Sequence, residues 1–343
     1  MSSEGINRRQ FVGAAALATA GLVGAEPAAA QAPSKPGIKV GLYSITFLGV
    51  WYQGKGLPLE QMVRKAKEYG YDGIEIDGKR PHGNPNDWPT KRCKQLRTLA
   101  DGEGLEIYAV AGNNDFSSPI CEHREAQIVY LRELIRMASD LGAAAVRVFF
   151  AWPGVTRHPQ LASYTVARNI WDHTHSMTTS ADDWSRCRDG LAECARYAGD
   201  SGVTLALQNH APIVTSYKDV QRMIQQVNSP HLKACLDLPL LSDKSPEGIR
   251  AAVDALGPLQ VLSHFGGEFE RTADGAVVND HENEAYRHFL RAMKQAGYSG
   301  YMGYELCHPL PVVDGQTVGI EFAEKNAKLA AEFMRSVLKA AQS

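Results

Sequence analysis

The chain has 343 residues, 44% of them hydrophobic, and a formal net charge of -2 from 36 Lys and Arg against 38 Asp and Glu. That is enough for one or two globular domains with a substantial core. Lys and Arg are scattered rather than gathered into the footprint of a phosphate-backbone binder, so no nucleic-acid partner is implied. Past the N-terminus no apolar run approaches the ~20 residues of a membrane-spanning helix.

In chain order, the first segment is a targeting signal. Asn7-Arg8-Arg9-Gln10-Phe11-Val12 resembles a twin-arginine export motif, the weakly apolar run from Phe11 to Gly24 its h-region, and small residues follow. Pro33 disfavours cutting after Ala32, which places cleavage near Ala30. Residues 1–30 are therefore expected to be a signal peptide, 31–37 a linker and 38–343 the folded domain, in the periplasm or secreted. Loss of Glu4, Arg8, Arg9 and Glu26 leaves the net charge unchanged.

From residue 38 strand-like and helix-like segments alternate. IKVGLYSITF, YDGIEIDG, EIYAVAGNND and AAAVRVFFAW read as strands one to four. PLEQMVRKAKEYG, closed by Gly70, and CEHREAQIVYLRELIRMASDLG, closed by Gly142, are among the helices between them. The run from Pro153 to Ser180 lacks clear periodicity. VTLALQNH, KACLDLPL, LQVLSHFGG and SGYMGYEL supply strands five to eight, each followed by a helical stretch. Eight such units predict a (β/α)8 barrel, with an open doubly wound sheet as the runner-up. The absence of G-x-G-x-x-G after the first strand favours closure.

Polar residues gather where these strands end. Gln208, Asp237, His264 and Glu305 lie at the tips of four consecutive strands, which a barrel brings around one mouth. An amide, two carboxylates and an imidazole make a shell for one divalent ion. Arg147, flanked by Val146 and Val148, is expected to point into the barrel as a planar donor fork. Glu75 and one of Asn113 or Asn114 face inward on the same alternation. His210, His308, Glu268 and Arg271 sit in the strand-end loops. Tyr43, Phe47, Trp51, Phe149, Phe150 and Trp152 could wall the mouth, about half of them serving core packing instead. His173 and His175 read as a surface pair. Six scattered cysteines without a CxxC give no disulfide framework; Cys235 and Cys307 read as small core residues.

The order LALQNH, CLDLPLL, LSHFGGE and GYEL resembles the xylose-isomerase-like barrels of the sugar phosphate isomerase/epimerase superfamily, which includes ketose 3-epimerases, inosose dehydratases and keto-glycoside lyases. The resemblance runs from about Gly37 to the end. It implies a metal-binding Glu, Asp, His and Glu on strands five to eight, here Gln208, Asp237, His264 and Glu305, holding Mn, Mg, Co or Zn. Gln208 departs from the pattern, because an amide cannot take a proton near neutral pH. Two-base epimerisation is thereby disfavoured and one-base chemistry favoured.

The expected activity is that of a secreted, metal-dependent isomerase or epimerase working through an enediolate on a non-phosphorylated sugar. Keto-glycoside elimination or hydration is the first alternative and a non-catalytic sugar-binding barrel the second. Glu305 and His210 are the candidate acid–base groups, with Arg147, His308, Glu268 and Trp152 as substrate contacts. The expected partner is a small carbohydrate, with homo-oligomerisation left open. Replacing Arg8 and Arg9 together by Lys is expected to retain the protein in the cytoplasm on fractionation; unchanged export would contradict the signal assignment.

Overall fold

The computed structural model describes residues 37–157, 162–279 and 282–341. The export signal and its cleavage point lie outside the described residues. Eight parallel strands close into a barrel: β1 (Lys39–Tyr43), β2 (Gly73–Asp77), β3 (Glu106–Ala111), β4 (Ala145–Val148), β5 (Thr204–Gln208), β6 (Leu232–Cys235), β7 (Gln260–Gly266) and β8 (Tyr301–Glu305). Each pairs with its sequence neighbours, and β8 pairs back to β1 through Lys39 opposite Tyr301. The expected barrel and its eight strands are therefore present.

Helices α1 (Leu59–Glu68), α2 (Thr90–Gly102), α3 (Cys121–Leu141), α4 (Thr165–His175), α5 (Ser180–Asp200), α6 (Tyr217–Val227), α7 (Pro246–Leu256), α8 (Asn283–Gln295) and α9 (Ile320–Ala340) complete the fold. Their starts follow from local chemistry. Thr179 with Asp182 and Ser216 with Asp219 form capping boxes at α5 and α6, satisfying amides that have no carbonyl four residues back. On α6, Val220, Met223 and Ile224 recur at helical spacing and are buried against the barrel. Gly70 and Gly142 end their helices at φ +81° and +77°, the left-handed conformation that suits glycine.

The aperiodic run after β4 contains more structure than its pattern predicts. Thr156–Arg157 pairs with Ala162–Ser163, and α4 follows. Only His175 of α4 is buried, while Val166 and Ile170, four apart on one face of the helix, are exposed. The expected surface pair separates as well. His173 is exposed, whereas His175 is buried, stacks on Trp171 at 3.9 Å and meets the Ser117 hydroxyl at 2.8 Å.

Below the site, the barrel is plugged by Tyr108, which stacks on Tyr301 with ring centres 3.9 Å apart. The plug fits because two neighbouring strands carry glycine: a β-carbon on Gly41 or Gly303 would lie 2.4 or 2.6 Å from Tyr108. All six cysteines are free, with Cys93, Cys187, Cys194 and Cys235 buried. Gly41→Ala is expected to destabilise the protein by about 1–3 kcal/mol through overpacking, seen as a lower melting temperature; no change would mean that the floor is not close-packed.

Candidate functional site

The strand alternation that buries apolar residues on the outer face of the barrel turns Glu75, Arg147 and His264 inward, all three essentially without solvent exposure. Arg147 is the centre of what they build. Its Nε donates to Glu75 Oε1 at 3.2 Å and its Nη1 to Gln208 Oε1 at 2.7 Å. The guanidinium lies over the rings of Tyr43 and Phe149, at 4.7 and 4.9 Å. The Gln208 amide nitrogen, in turn, donates to Asp237 Oδ2.

Asp237 stands two residues beyond β6 and is fastened there by Asn209, whose Oδ1 accepts from the Asp237 amide at 2.9 Å. One Asp237 oxygen accepts from the His264 backbone N–H at 2.7 Å, and the other lies 3.0 Å from His264 Nδ1. His264 Nε2 lies 2.7 Å from Glu75 Oε2. Both ring nitrogens thus face a carboxylate, an arrangement that favours the imidazolium. Burial alone would lower the His264 pKa, but Glu75 and Asp237 outweigh it and hold it well above the usual histidine value. Burial likewise works against the Asp237 carboxylate, yet His264 and Gln208 hold its pKa below the ordinary value. Two buried cations thus face two buried carboxylates.

Glu305, the last residue of β8, is different. Its carboxylate takes no hydrogen bond or ion pair among the described residues, and burial pushes its pKa up. It lines a cavity of about 100 Å³ together with Arg147, Gln208 and His210, walled by Tyr43, Trp51, Phe149 and Trp152. His210 Nδ1 donates to the Ala211 carbonyl at 2.6 Å, which leaves the lone pair on Nε2; burial lowers its pKa to about 4, so the ring is neutral. The indole N–H of Trp51 is buried without a partner among the described residues.

Four of the six expected wall aromatics line the cavity, while Phe47 and Phe150 pack in the core. Asn113 reaches the cavity and donates to Asp77, whereas Asn114 is spent on the Phe149 backbone. His308 and Glu268 do not line it, and Arg271 turns outward to Glu332: loop position fixes the end of the barrel but not the direction of a side chain. Lys79 was not singled out from the sequence. It lines the cavity with Nζ 3.5 Å from Asp77 and 5.8 Å from the Trp152 ring, and its place two residues beyond the inward Asp77 was the available signal. Cys235 proves to be more than packing, its sulfur lying 3.4 Å from Asp237 and 3.5 Å from His264. A larger hollow of about 630 Å³, beside α5 and α6, is lined by none of these residues and lacks the buried ionisable cluster.

The four expected metal ligands do not form one shell. Asp237 and His264 do meet, with Cys235 as the third member, their candidate donor atoms within 4.8 Å of one another. Gln208, however, gives its oxygen to Arg147, and reversing the amide would set its NH2 against the guanidinium. A dication at that oxygen would have to share the Gln208 carbonyl with the Arg147 guanidinium. Glu305 stands outside the group that Cys235, Asp237 and His264 form. The four expected donors as arranged are therefore not one closed shell for Mn, Mg, Co or Zn.

A closed parallel barrel with ionisable residues at the ends of its strands has the architecture of a (β/α)8-barrel enzyme. A profile of the xylose isomerase-like TIM barrel family matches residues 63–337, and the chain belongs to that family. Fructoselysine 3-epimerase of Shigella flexneri is 26% identical over 261 residues, covering 73% of this chain and 86% of the relative. The crystal structure of D-psicose 3-epimerase in the presence of D-fructose shares the fold with a TM-score of 0.63 at 17% identity, over 88% of this chain and 99% of that one. A 3-keto-D-glucoside 4-epimerase from Escherichia coli superposes with a TM-score of 0.61 at 15% identity, over 87% and 99%.

Glu75 is the carboxylate shared by both buried cations. Glu75→Ala is expected to destabilise the protein by about 3–5 kcal/mol, since it leaves Arg147 and His264 undercompensated in the interior. A melting temperature within a degree of the parent would show that the network is not as buried as its geometry.

Proposed function

We propose that the chain is a sugar isomerase or epimerase that moves a proton next to the carbonyl of a non-phosphorylated carbohydrate. The observation that carries this reading is Glu305: a half-buried carboxyl with a raised pKa and no hydrogen-bond or ion-pair partner among the described residues, lining an aromatic-walled cavity beside a fixed cation. Such a group suits general acid–base work near neutral pH. The aromatic rings give a sugar apolar faces to stack on, and the Trp51 indole N–H and His210 Nε2 offer one donor and one acceptor for its hydroxyls. Family membership and the epimerase relative support the same class. The export motif supports an unphosphorylated substrate met in the periplasm or outside the cell.

The residues act in a short sequence. Glu305 takes the proton from the carbon beside the carbonyl, and the C–H electron pair becomes the carbon–carbon bond of an enediolate. Negative charge collects on the former carbonyl oxygen. The proton then returns from Glu305 or from solvent, giving the isomer or the epimer. His210, with its low pKa, stays neutral and positions a hydroxyl rather than storing the proton.

One observation favours a second reading. Gln208 stands where a second carboxylate would serve as the partner base, and its amide is locked between Arg147 and Asp237. A single-base site suits β-elimination or hydration of a keto-glycoside, which shares the enolate step. The unpaired Glu305 carboxyl argues against a merely sugar-binding barrel.

Hydrogen exchange in D2O, followed by NMR, separates the readings with free ketoses and keto-glycosides as probes. The parent protein is expected to exchange the proton next to the carbonyl, and Glu305→Gln to slow this by about 10²–10⁴-fold. Elimination products from keto-glycosides alone would favour the second reading. Undiminished exchange in Glu305→Gln would refute the role of Glu305.

A further inference from the structure

We infer that the Arg147 guanidinium holds the place of a divalent cation in this barrel, as the built-in electrophile of the pocket. The inference deepens the proposed function and rests on it for the reaction, though not for the exclusion of a metal ion.

Four features of the site support it. Arg147 is 3% exposed and lines the cavity with Glu305, so a permanent positive charge already stands beside the proposed base. Protein partners take only Nε and one hydrogen of Nη1; Nη2 has none among the described residues and can meet a substrate oxygen. The Tyr43 and Phe149 rings fix the guanidinium, and Tyr43 is itself anchored by donating to Asp77 at 2.6 Å. A donor held in this way needs no reorganisation as charge develops on the oxygen.

The fourth feature is Gln208. A glutamate there would set a second carboxylate against Arg147, beside Glu75. The amide orients the guanidinium through the same oxygen without adding that charge, so the residue that departs from the metal-binding pattern is the one that holds the arginine. Glu75 lies against both Arg147 and His264, and Asp237 against His264 and Gln208, so each of these carboxyl groups already has protein partners. In the reaction, Glu305 removes the proton while the enediolate oxygen faces Arg147; no electron leaves the substrate and no co-reactant is needed.

The test uses the full mature chain, stripped with EDTA and dialysed, then melted with Mn²⁺, Mg²⁺, Co²⁺ or Zn²⁺ added singly. The parent is expected to hold less than a tenth of an equivalent of metal by elemental analysis and to shift its melting temperature by under about one degree with any ion. The double variant Arg147→Met, Gln208→Glu is expected to gain a rise of several degrees with Mn²⁺. If it does not fold, Gln208→Glu alone is measured, and with Arg147 retained it should still take no ion. Stoichiometric metal in the parent, or metal uptake by Gln208→Glu alone, would overturn the inference. These readouts need no substrate, so a failed exchange assay counts against the proposed function and not against this result.

Discussion

The contact on which the site depends is the hydrogen bond from the Arg147 guanidinium to the Gln208 carbonyl, deep inside the barrel. It fixes which way the amide faces, and the amide then donates to Asp237. Asp237 and Glu75 clamp the two nitrogens of His264, and Glu75 returns to Arg147, so the chain of contacts closes across the barrel. Buried charges are costly when unpaired, and a closed circuit of matched charges is the arrangement that tolerates burial. Glu305 lies outside that circuit. The same circuit that neutralises its neighbours leaves this one carboxyl free to react.

The rest of the fold serves the circuit by holding its members at fixed depths. Tyr108 and Tyr301 plug the barrel beneath His264, and glycines on β1 and β8 give the plug room. Asn209 ties the Asp237 backbone to the end of β5, across the β5–β6 register that pairs Gln208 with Cys235. The cavity is closed below by that plug and walled by aromatic rings, and the residues that line it stand at and beyond the strand ends. That is where a sugar would have to arrive.

Much of this is legible in the sequence, because strand alternation is a strict rule. Val146 and Val148 on either side of Arg147 are enough to turn it inward, and Glu75, Asp237 and His264 follow from the same alternation and from position at strand ends. What the pattern does not carry is the partner of each side chain. Position alone makes Gln208 a metal ligand; only the distance to Arg147 shows its oxygen to be taken. His308, Glu268 and Arg271 lie at the predicted end of the barrel but face elsewhere, since loop residues follow no alternation. α4 does carry helical spacing in Val166, Ala167, Ile170 and Trp171, but that spacing is short and set among Thr, Asn and His, and Val166 and Ile170 stay exposed.

Whether the pocket works with a guanidinium or with a metal ion is decided most directly by crystals grown with excess Mn²⁺ and examined at the manganese absorption edge. No anomalous peak is expected between Gln208, Asp237, His264 and Glu305, with the Gln208 carbonyl bonded to Arg147. A peak there, with the Gln208 oxygen and a His264 nitrogen turned onto it, would contradict the account.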